Sequence, residues 1–204
     1  MHRALAFPIA MVIAVSISCD SGGVSPESKD GSAVEAGGVV DSILSTEEAL
    51  LRFRVGLPVV TKLATPATSR DSLVSLFLSA LERNDTAALR ALVVDRAEYA
   101  YLYFPSSVYA SKPYELSPEI AWSLNQQNGD KGLSRVIGRL GGRQLASPRY
   151  SCGDSTVEAV NIFWKVCTLS FVDPATSARV DKRVFGAVMQ RDSRFKFLSY
   201  SNDF

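Results

Sequence analysis

Three stretches near the C-terminus decide the predicted fold: TVEAVNIFWKVCTLSFV (residues 156–172), ARVDKRVFGAVMQ (178–190) and RFKFLSYS (194–201). They are rich in β-branched and aromatic residues, which favour β-strands. Asp, Pro and Ser occur in the segments between them, at residues 173–177 and 191–193, and these residue types favour turns. Long strands joined by turns this short pair with their neighbours, so the region predicts an antiparallel meander.

Amphipathic helices are predicted before these strands. Ser45 and Glu48 have the spacing of a capping box and predict a helix that ends near Gly56. The next helix has the clearest pattern, because its apolar residues recur at three- and four-residue steps: Leu73, Leu76, Phe77, Ala80 and Leu81. Asn84-Asp85 ends this helix and begins a third helix that runs to about residue 94.

The middle of the chain links these helices to the meander. Residues 98–104 alternate aromatic and smaller side chains, which favours a strand, with a helix as the alternative. Ser117-Pro118 begins a helix that is expected to stop by Gly129, and residues 131–140 are expected to form another that ends at Gly141. A strand is expected at residues 144–150. The prediction is an α+β fold, with N-terminal helices packed on one face of a curved antiparallel sheet built mainly from the C-terminal meander.

The N-terminus has the layout of a bacterial secretory signal. A basic start is followed by an apolar run at residues 4–15, about half the ~20 residues that a membrane-spanning helix needs. Ser16-Ile17-Ser18-Cys19 resembles the lipobox of bacterial lipoproteins, which implies cleavage before Cys19 and lipidation of its thiol. The resemblance predicts a signal peptide at residues 1–18 and a lipid-anchored protein of the bacterial cell envelope, facing the periplasm or the exterior. The alternative is plain secretion after cleavage at another position.

The composition after cleavage excludes several function classes. Residues 19–44 are rich in Gly, Ser and charge and are predicted to form a flexible tether before a single domain at residues 45–204. Removing Arg3 with the signal peptide leaves 21 basic and 21 acidic side chains, so no electrostatic attraction for nucleic acid is expected. The sole histidine, His2, is also removed, which excludes histidine-based catalysis and histidine metal sites. No metal and no cofactor are predicted.

Two cysteines remain beyond Cys19. An even number in an exported protein predicts a disulfide between Cys152 and Cys167. Closing a loop of roughly 15 residues would stabilise the fold by about 3 kcal/mol in the chain-entropy model. The alternative is a buried free thiol at Cys167 and an exposed one at Cys152.

Three segments carry a resemblance to a known family: DSLV (71–74), ALERND (80–85) and FKFLSY (195–200). Through them the chain from about residue 69 to residue 204 resembles the nuclear-transport-factor-2-like or SnoaL-like group of cone-shaped α+β domains. Some isomerases of this group use an aspartate base opposite a tyrosine, which implies Asp95, Glu98 and Tyr101 as candidate catalytic residues. The alternative is that Asp95 and Glu98 are solvated turn residues and that the tyrosines line a half-buried sheet face.

Two further groups of side chains have both a functional and a structural interpretation. Tyr99, Tyr101, Tyr103 and Trp122 are candidate lining residues of a ligand pocket, because tyrosine and tryptophan combine apolar area with a polar group. Ordinary packing in the core and loops is the alternative. A helical stripe could contact anionic lipid headgroups or could be a solvated face: Lys131, Arg135 and Arg139, with Arg143 just beyond.

The predicted function is therefore a set of alternatives. The first is an envelope-anchored lipoprotein whose α+β module binds a small apolar ligand or an envelope protein. The second is a cofactorless isomerase- or hydrolase-like enzyme that uses Asp/Glu and Tyr. The third is a structural accessory domain of a membrane complex. In each case the predicted contact with the membrane is the lipid anchor at Cys19.

Overall fold

Helices occupy the first part of the folded chain and strands the last part, which confirms the predicted α+β fold. The structure is a computed structural model that describes residues 44–204. The predicted signal peptide, Cys19 and nearly all of the predicted tether lie outside the described residues. The described residues 44–204 contain no helix with both the length and the hydropathy of a membrane span.

The helices lie between residues 46 and 140. Ser45 begins the first helix and Ser69 the second, each by accepting a hydrogen bond from a backbone N–H of the first turn. A short α-helix continues directly into a π-helix, and two single 3₁₀ turns follow at Phe104–Ser106 and Val108–Ala110. The helices are α1 (Thr46–Arg54), α2 (Arg70–Glu82), α3 (Thr86–Ala91), α4 (Arg96–Glu98), the π-helix (Tyr99–Tyr103) and α5 (Pro118–Leu140).

Among residues 44–204, the strands pair into two antiparallel sheets rather than one meander. One sheet has the order β1-β4-β5, and the other has the order β2-β3-β6-β7. The strands are β1 (Ala146–Cys152), β2 (Ser155–Glu158), β3 (Asn161–Trp164), β4 (Cys167–Val172), β5 (Arg179–Lys182), β6 (Val188–Arg191) and β7 (Arg194–Phe197).

The predicted long strands are wrong in their bounds. Residues 156–172 form β2, β3 and β4, because Ala159 adopts a positive φ of 53° and turns the chain so that β2 pairs with β3. Residues 178–190 likewise divide into β5 and β6, which belong to different sheets. The third predicted strand ends at Phe197. The two predicted turns are confirmed, at residues 173–177 between β4 and β5 and at Asp192 in the β6–β7 hairpin.

The predicted strand at residues 98–104 is wrong, because this segment is helical. Asp95 accepts a hydrogen bond from the backbone N–H of Glu98 at 2.8 Å, and the Glu98 carboxylate accepts one from the N–H of Asp95 at 2.9 Å. This reciprocal capping box begins α4 and sets the helical path of the π-helix. The local cap outweighs the preference of alternating aromatic residues for strands.

The two helices predicted at residues 118–128 and 131–140 are one helix, α5. Ser117 and Pro118 begin it as predicted, and Gly141 ends it. Gly132 lies inside the helix for a packing reason: a Cβ added there would collide with the backbone carbonyl oxygen of Tyr200. The glycine therefore allows the segment after β7 to pack directly on the helix backbone.

The four-stranded sheet lies between two apolar clusters, so helices cover both of its faces and not the single face expected. Phe195 and Phe197 of β7 join the cluster that contains Phe77 and Leu81 of α2. Phe163 and Met189, which face the other way, join a second cluster with residues from α1, the π-helix and α5: Phe53, Tyr99, Tyr103, Phe104 and Ala121.

The structure contains the predicted disulfide rather than two free thiols. Cys152 in β1 and Cys167 in β4 are directly opposite partners in the antiparallel ladder. The bond therefore joins neighbouring strands of the three-stranded sheet.

Two glycines of α5 predict opposite effects of the same substitution. Gly132→Ala should destabilise the protein by at least about 2 kcal/mol, because the new Cβ displaces the Tyr200 backbone. Gly129→Ala should stabilise it by about 0.5–1 kcal/mol, because its nearest neighbour is at 3.7 Å and alanine favours helix. Urea unfolding of the full-length protein measures both. Equal effects of the two substitutions would contradict the described packing.

Candidate functional site

The π-helix brings two tyrosines to the wall of a cavity. Tyr99 and Tyr103 are four residues apart, about one turn of a π-helix, so both face α5 across a cavity of about 250 Å³. We call this space the tyrosine cavity. Apolar residues line much of the remainder, and its other polar side chains belong to Tyr109, Asn125 and Asn128.

The phenol groups of Tyr99 and Tyr103 are free to interact with a molecule in this cavity. Within residues 44–204 neither hydroxyl has a protein hydrogen-bond partner. Every fully buried side-chain polar atom in this range does have one, so the two hydroxyls are not fully buried. Tyr99 is 1% exposed and Tyr103 is 7% exposed, so each side chain presents a small part of its surface to open space, and both line the cavity. Burial raises the pKa of both phenols well above the usual value, and neighbouring tyrosine side chains raise it further. Both groups are protonated at neutral pH and available as donors.

Packing behind the cavity holds these tyrosines in place. The Tyr99 ring lies 5.1 Å from the Trp122 ring and 6.4 Å from the Phe53 ring, between centroids. Asn161 of β3 is buried and donates a hydrogen bond to the carbonyl oxygen of Leu102 at 2.8 Å. The sheet thus supports the π-helix directly, and the positions of the two phenols are set before any ligand binds.

The other two predicted pocket residues lie elsewhere. Tyr101 is on a different side of the π-helix, where the Arg54 guanidinium lies 4.5 Å from its ring centroid. Trp122 lines a second space of about 210 Å³ between α5 and the segment from Arg90 to Arg96. We call this second space the Trp122 groove.

Asp95 and Glu98 have structural roles, which differ between the two residues. Asp95 is exposed and caps α4. Glu98 is completely buried, so its interpretation as a solvated residue is wrong. Its carboxylate accepts hydrogen bonds from the N–H of Ala64 at 2.6 Å, from the N–H of Asp95 and from Nζ of Lys196 at 2.8 Å. All three donors belong to the protein, so the Glu98 carboxylate is engaged in structural contacts.

The basic stripe of α5 faces away from both cavities. Lys131 and Arg135 are exposed, and the guanidinium of Arg139 lies 5.2 Å from the ring centroid of Phe204. Arg143 follows the helix and is also exposed. Contact of this stripe with lipid headgroups stays a prediction.

Sequence reasoning did not single out Asn125 or Arg96. Asn125 borders both cavities and donates a hydrogen bond to the carbonyl oxygen of Leu198 at 3.1 Å. Arg96 begins α4 and borders the Trp122 groove. The capping box of Asp95 and Glu98 was the available signal for Arg96, because it places Arg96 at the first position of a helix.

Comparison with known proteins finds no matching family model, no similar curated protein and no similar solved structure. The resemblance to the nuclear-transport-factor-2-like group therefore stays a prediction.

The buried pair of Glu98 and Lys196 predicts strong coupling between two substitutions. Glu98→Gln keeps the shape but removes the charge that faces Lys196, so it should cost about 3–5 kcal/mol of stability. Lys196→Met should also destabilise, because it leaves the carboxylate without its cation. The double variant should lose clearly less than the sum of the single variants. Urea unfolding of all four proteins gives the coupling energy, and additive losses would contradict a buried ion pair.

Proposed function

We propose that this protein is a bacterial envelope lipoprotein whose α+β domain binds a small uncharged molecule in the tyrosine cavity. The molecule is mostly apolar and carries a hydrogen-bond acceptor. The observation that carries this proposal is the pair of protonated phenol hydroxyls, without protein partners among residues 44–204, on a wall that also carries four apolar side chains: Leu116, Ala121, Leu124 and Leu198.

The size of the cavity supports a ligand built around one ring. Its volume is about 250 Å³, and a protein cavity of about 150 Å³ is large enough to hold benzene. Binding sites for small molecules combine apolar surface with directed polar groups, and this wall offers both. A ring with a short polar substituent fills this space.

The electrostatics of the wall favour a neutral ligand. The described residues that line the tyrosine cavity include no charged side chain. A charged ligand would lose its hydration without gaining a counter-charge, which is unfavourable. A carbonyl or ether oxygen instead gains hydrogen bonds from Tyr99 and Tyr103 and satisfies donors that are partly withdrawn from water.

The enzymatic alternative lacks a specific contact in its favour. Neither Asp95 nor Glu98 lines the tyrosine cavity, and Tyr101 lies against Arg54. The binding function therefore has the better support of the two.

A matched pair of ligands tests the role of the phenol groups. We expect 4-fluoroacetophenone to bind the full-length protein about tenfold more tightly than 1-ethyl-4-fluorobenzene, because only the ketone accepts a hydrogen bond. The double variant Tyr99→Phe/Tyr103→Phe should bind both compounds equally. Tyr101→Phe is the matched control and should keep the preference. Fluorine NMR titration measures all of these affinities.

Three outcomes would overturn the binding proposal. They are an absence of binding of both compounds, a ketone preference that survives loss of both hydroxyls, and an equal loss of preference in Tyr101→Phe. Native mass spectrometry of the protein purified from its own envelope would then show whether a partner protein is bound instead.

The lipid anchor is tested separately. Expressed in a bacterial host, the full chain should yield an N-terminal peptide that starts at Cys19 and carries acyl chains, and Cys19→Ser should leave the membrane fraction. The double variant Cys152→Ser/Cys167→Ser is the control, because it removes thiols that form the disulfide and should remain membrane-bound. An unacylated Cys19 in the mature wild-type protein would refute this part of the proposal.

A further inference from the structure

The Trp122 groove has an apolar floor and a polar rim. Val93, Val94, Leu133 and Tyr200 contribute to its lining, and Gly129 leaves room on the α5 side. The rim carries Arg90, Asp95, Arg96 and Asp130, with the Gln126 amide beside them. A molecule that is apolar at one end and polar at the other matches this arrangement.

Most charges on the rim already have partners. Arg90 and Asp130 form an ion pair with 2.6 Å between nitrogen and oxygen, and this pair joins α3 to α5. Asp95 accepts the hydrogen bond that caps α4. Arg96, by contrast, makes no ion pair and no side-chain hydrogen bond within residues 44–204, and its guanidinium stacks 4.7 Å from the Phe53 ring centroid.

A second donor lies on the same groove. The indole N–H of Trp122 has no hydrogen-bond partner among residues 44–204, while the ring itself packs against Tyr99. The stacked guanidinium and the packed indole are both held by aromatic neighbours. The groove therefore offers two donors without partners in the described part of the chain, one of them cationic, beside an apolar floor.

We infer that the Trp122 groove is a second binding site, which takes a short apolar carboxylic acid. Arg96 binds the carboxylate, because a guanidinium presents two parallel N–H groups to its two oxygens. The Trp122 N–H adds a donor at the same end. The hydrocarbon tail lies over Val93 and Leu133 towards Gly129.

This site is distinct from the tyrosine cavity. The contact between Trp122 and Tyr99 and the hydrogen bond from Asn125 to Leu198 lie between the two spaces. The two sites also differ in charge: among the described residues, the tyrosine cavity has no charged wall residue and the groove has an arginine without an ion pair. Their ligands are therefore of different classes, and the inference does not depend on the proposed function.

Hexanoate and 1-hexanol are the test ligands, because they share a tail and differ in charge. The readout is the indole N–H resonance of Trp122 in proton–nitrogen correlation spectra of the full-length protein, assigned with Trp164→Phe. We expect a saturable shift with hexanoate at about tenfold lower concentration than with 1-hexanol.

Four variants test whether hexanoate binds in the groove and through Arg96. Arg96→Gln should remove the preference for hexanoate, and Gly129→Leu should abolish the shift with both ligands, because its side chain fills the groove. Arg135→Gln is the matched control for Arg96→Gln, since Arg135 is an exposed arginine of α5 that does not line the groove. The double variant Tyr99→Phe/Tyr103→Phe should bind hexanoate as the wild type does.

Four results would overturn the inference. An absence of any shift, or equal affinity for hexanoate and 1-hexanol, would overturn it. So would a preference that persists in Arg96→Gln, or one that Arg135→Gln weakens as much. Failure of hexanoate binding with intact ketone binding would leave the tyrosine cavity proposal standing.

Discussion

The buried ion pair between Lys196 and Glu98 is the contact on which the arrangement of the site depends. Lys196 lies between Phe195 and Phe197 in β7, so strand alternation turns it away from their cluster and towards α4. There it meets Glu98 at the end of α4, one residue before the π-helix. Two charges withdrawn from water are tolerated only when they are paired and hydrogen-bonded. Any large displacement of the π-helix from β7 would separate them, so the pair keeps the tyrosines in one position relative to the sheet.

Helix α5 divides the space that this arrangement leaves. Its residues near Trp122 and Asn125 contact the π-helix and the segment after β7, with the tyrosine cavity on one side and the Trp122 groove on the other. The two spaces have similar volumes but different walls. One presents uncharged phenol and amide groups, and the other presents charged groups from α3, α4 and α5. A single helix thus separates two spaces whose walls differ in chemistry.

Features set by neighbouring residues were predictable from the sequence, and features set by distant contacts were not. Ser45, Ser69, Asp85 and Ser117 each begin a helix through a local hydrogen bond, and three of these starts were predicted. Gly129 was predicted to end a helix, but α5 continues to Leu140 and packs Gly132 on the backbone of Tyr200, which is far away in the chain. The division of the predicted meander into two sheets depends on pairing of β4 with β1, which no local pattern specifies. Glu98 was misjudged for the same reason, since its burial depends on Lys196.

The disulfide makes the stability of the three-stranded sheet depend on the compartment that the chain occupies. The bond joins β1 to β4, whose pairing holds that sheet together, and β5 pairs with the other edge of β4. In a reducing compartment the thiols stay separate, and about 3 kcal/mol is missing from a total that is typically about 5–15 kcal/mol. A larger fraction of molecules is then unfolded than after oxidation. The folded chain is therefore easier to unfold in a reducing space and harder to unfold in an oxidising one.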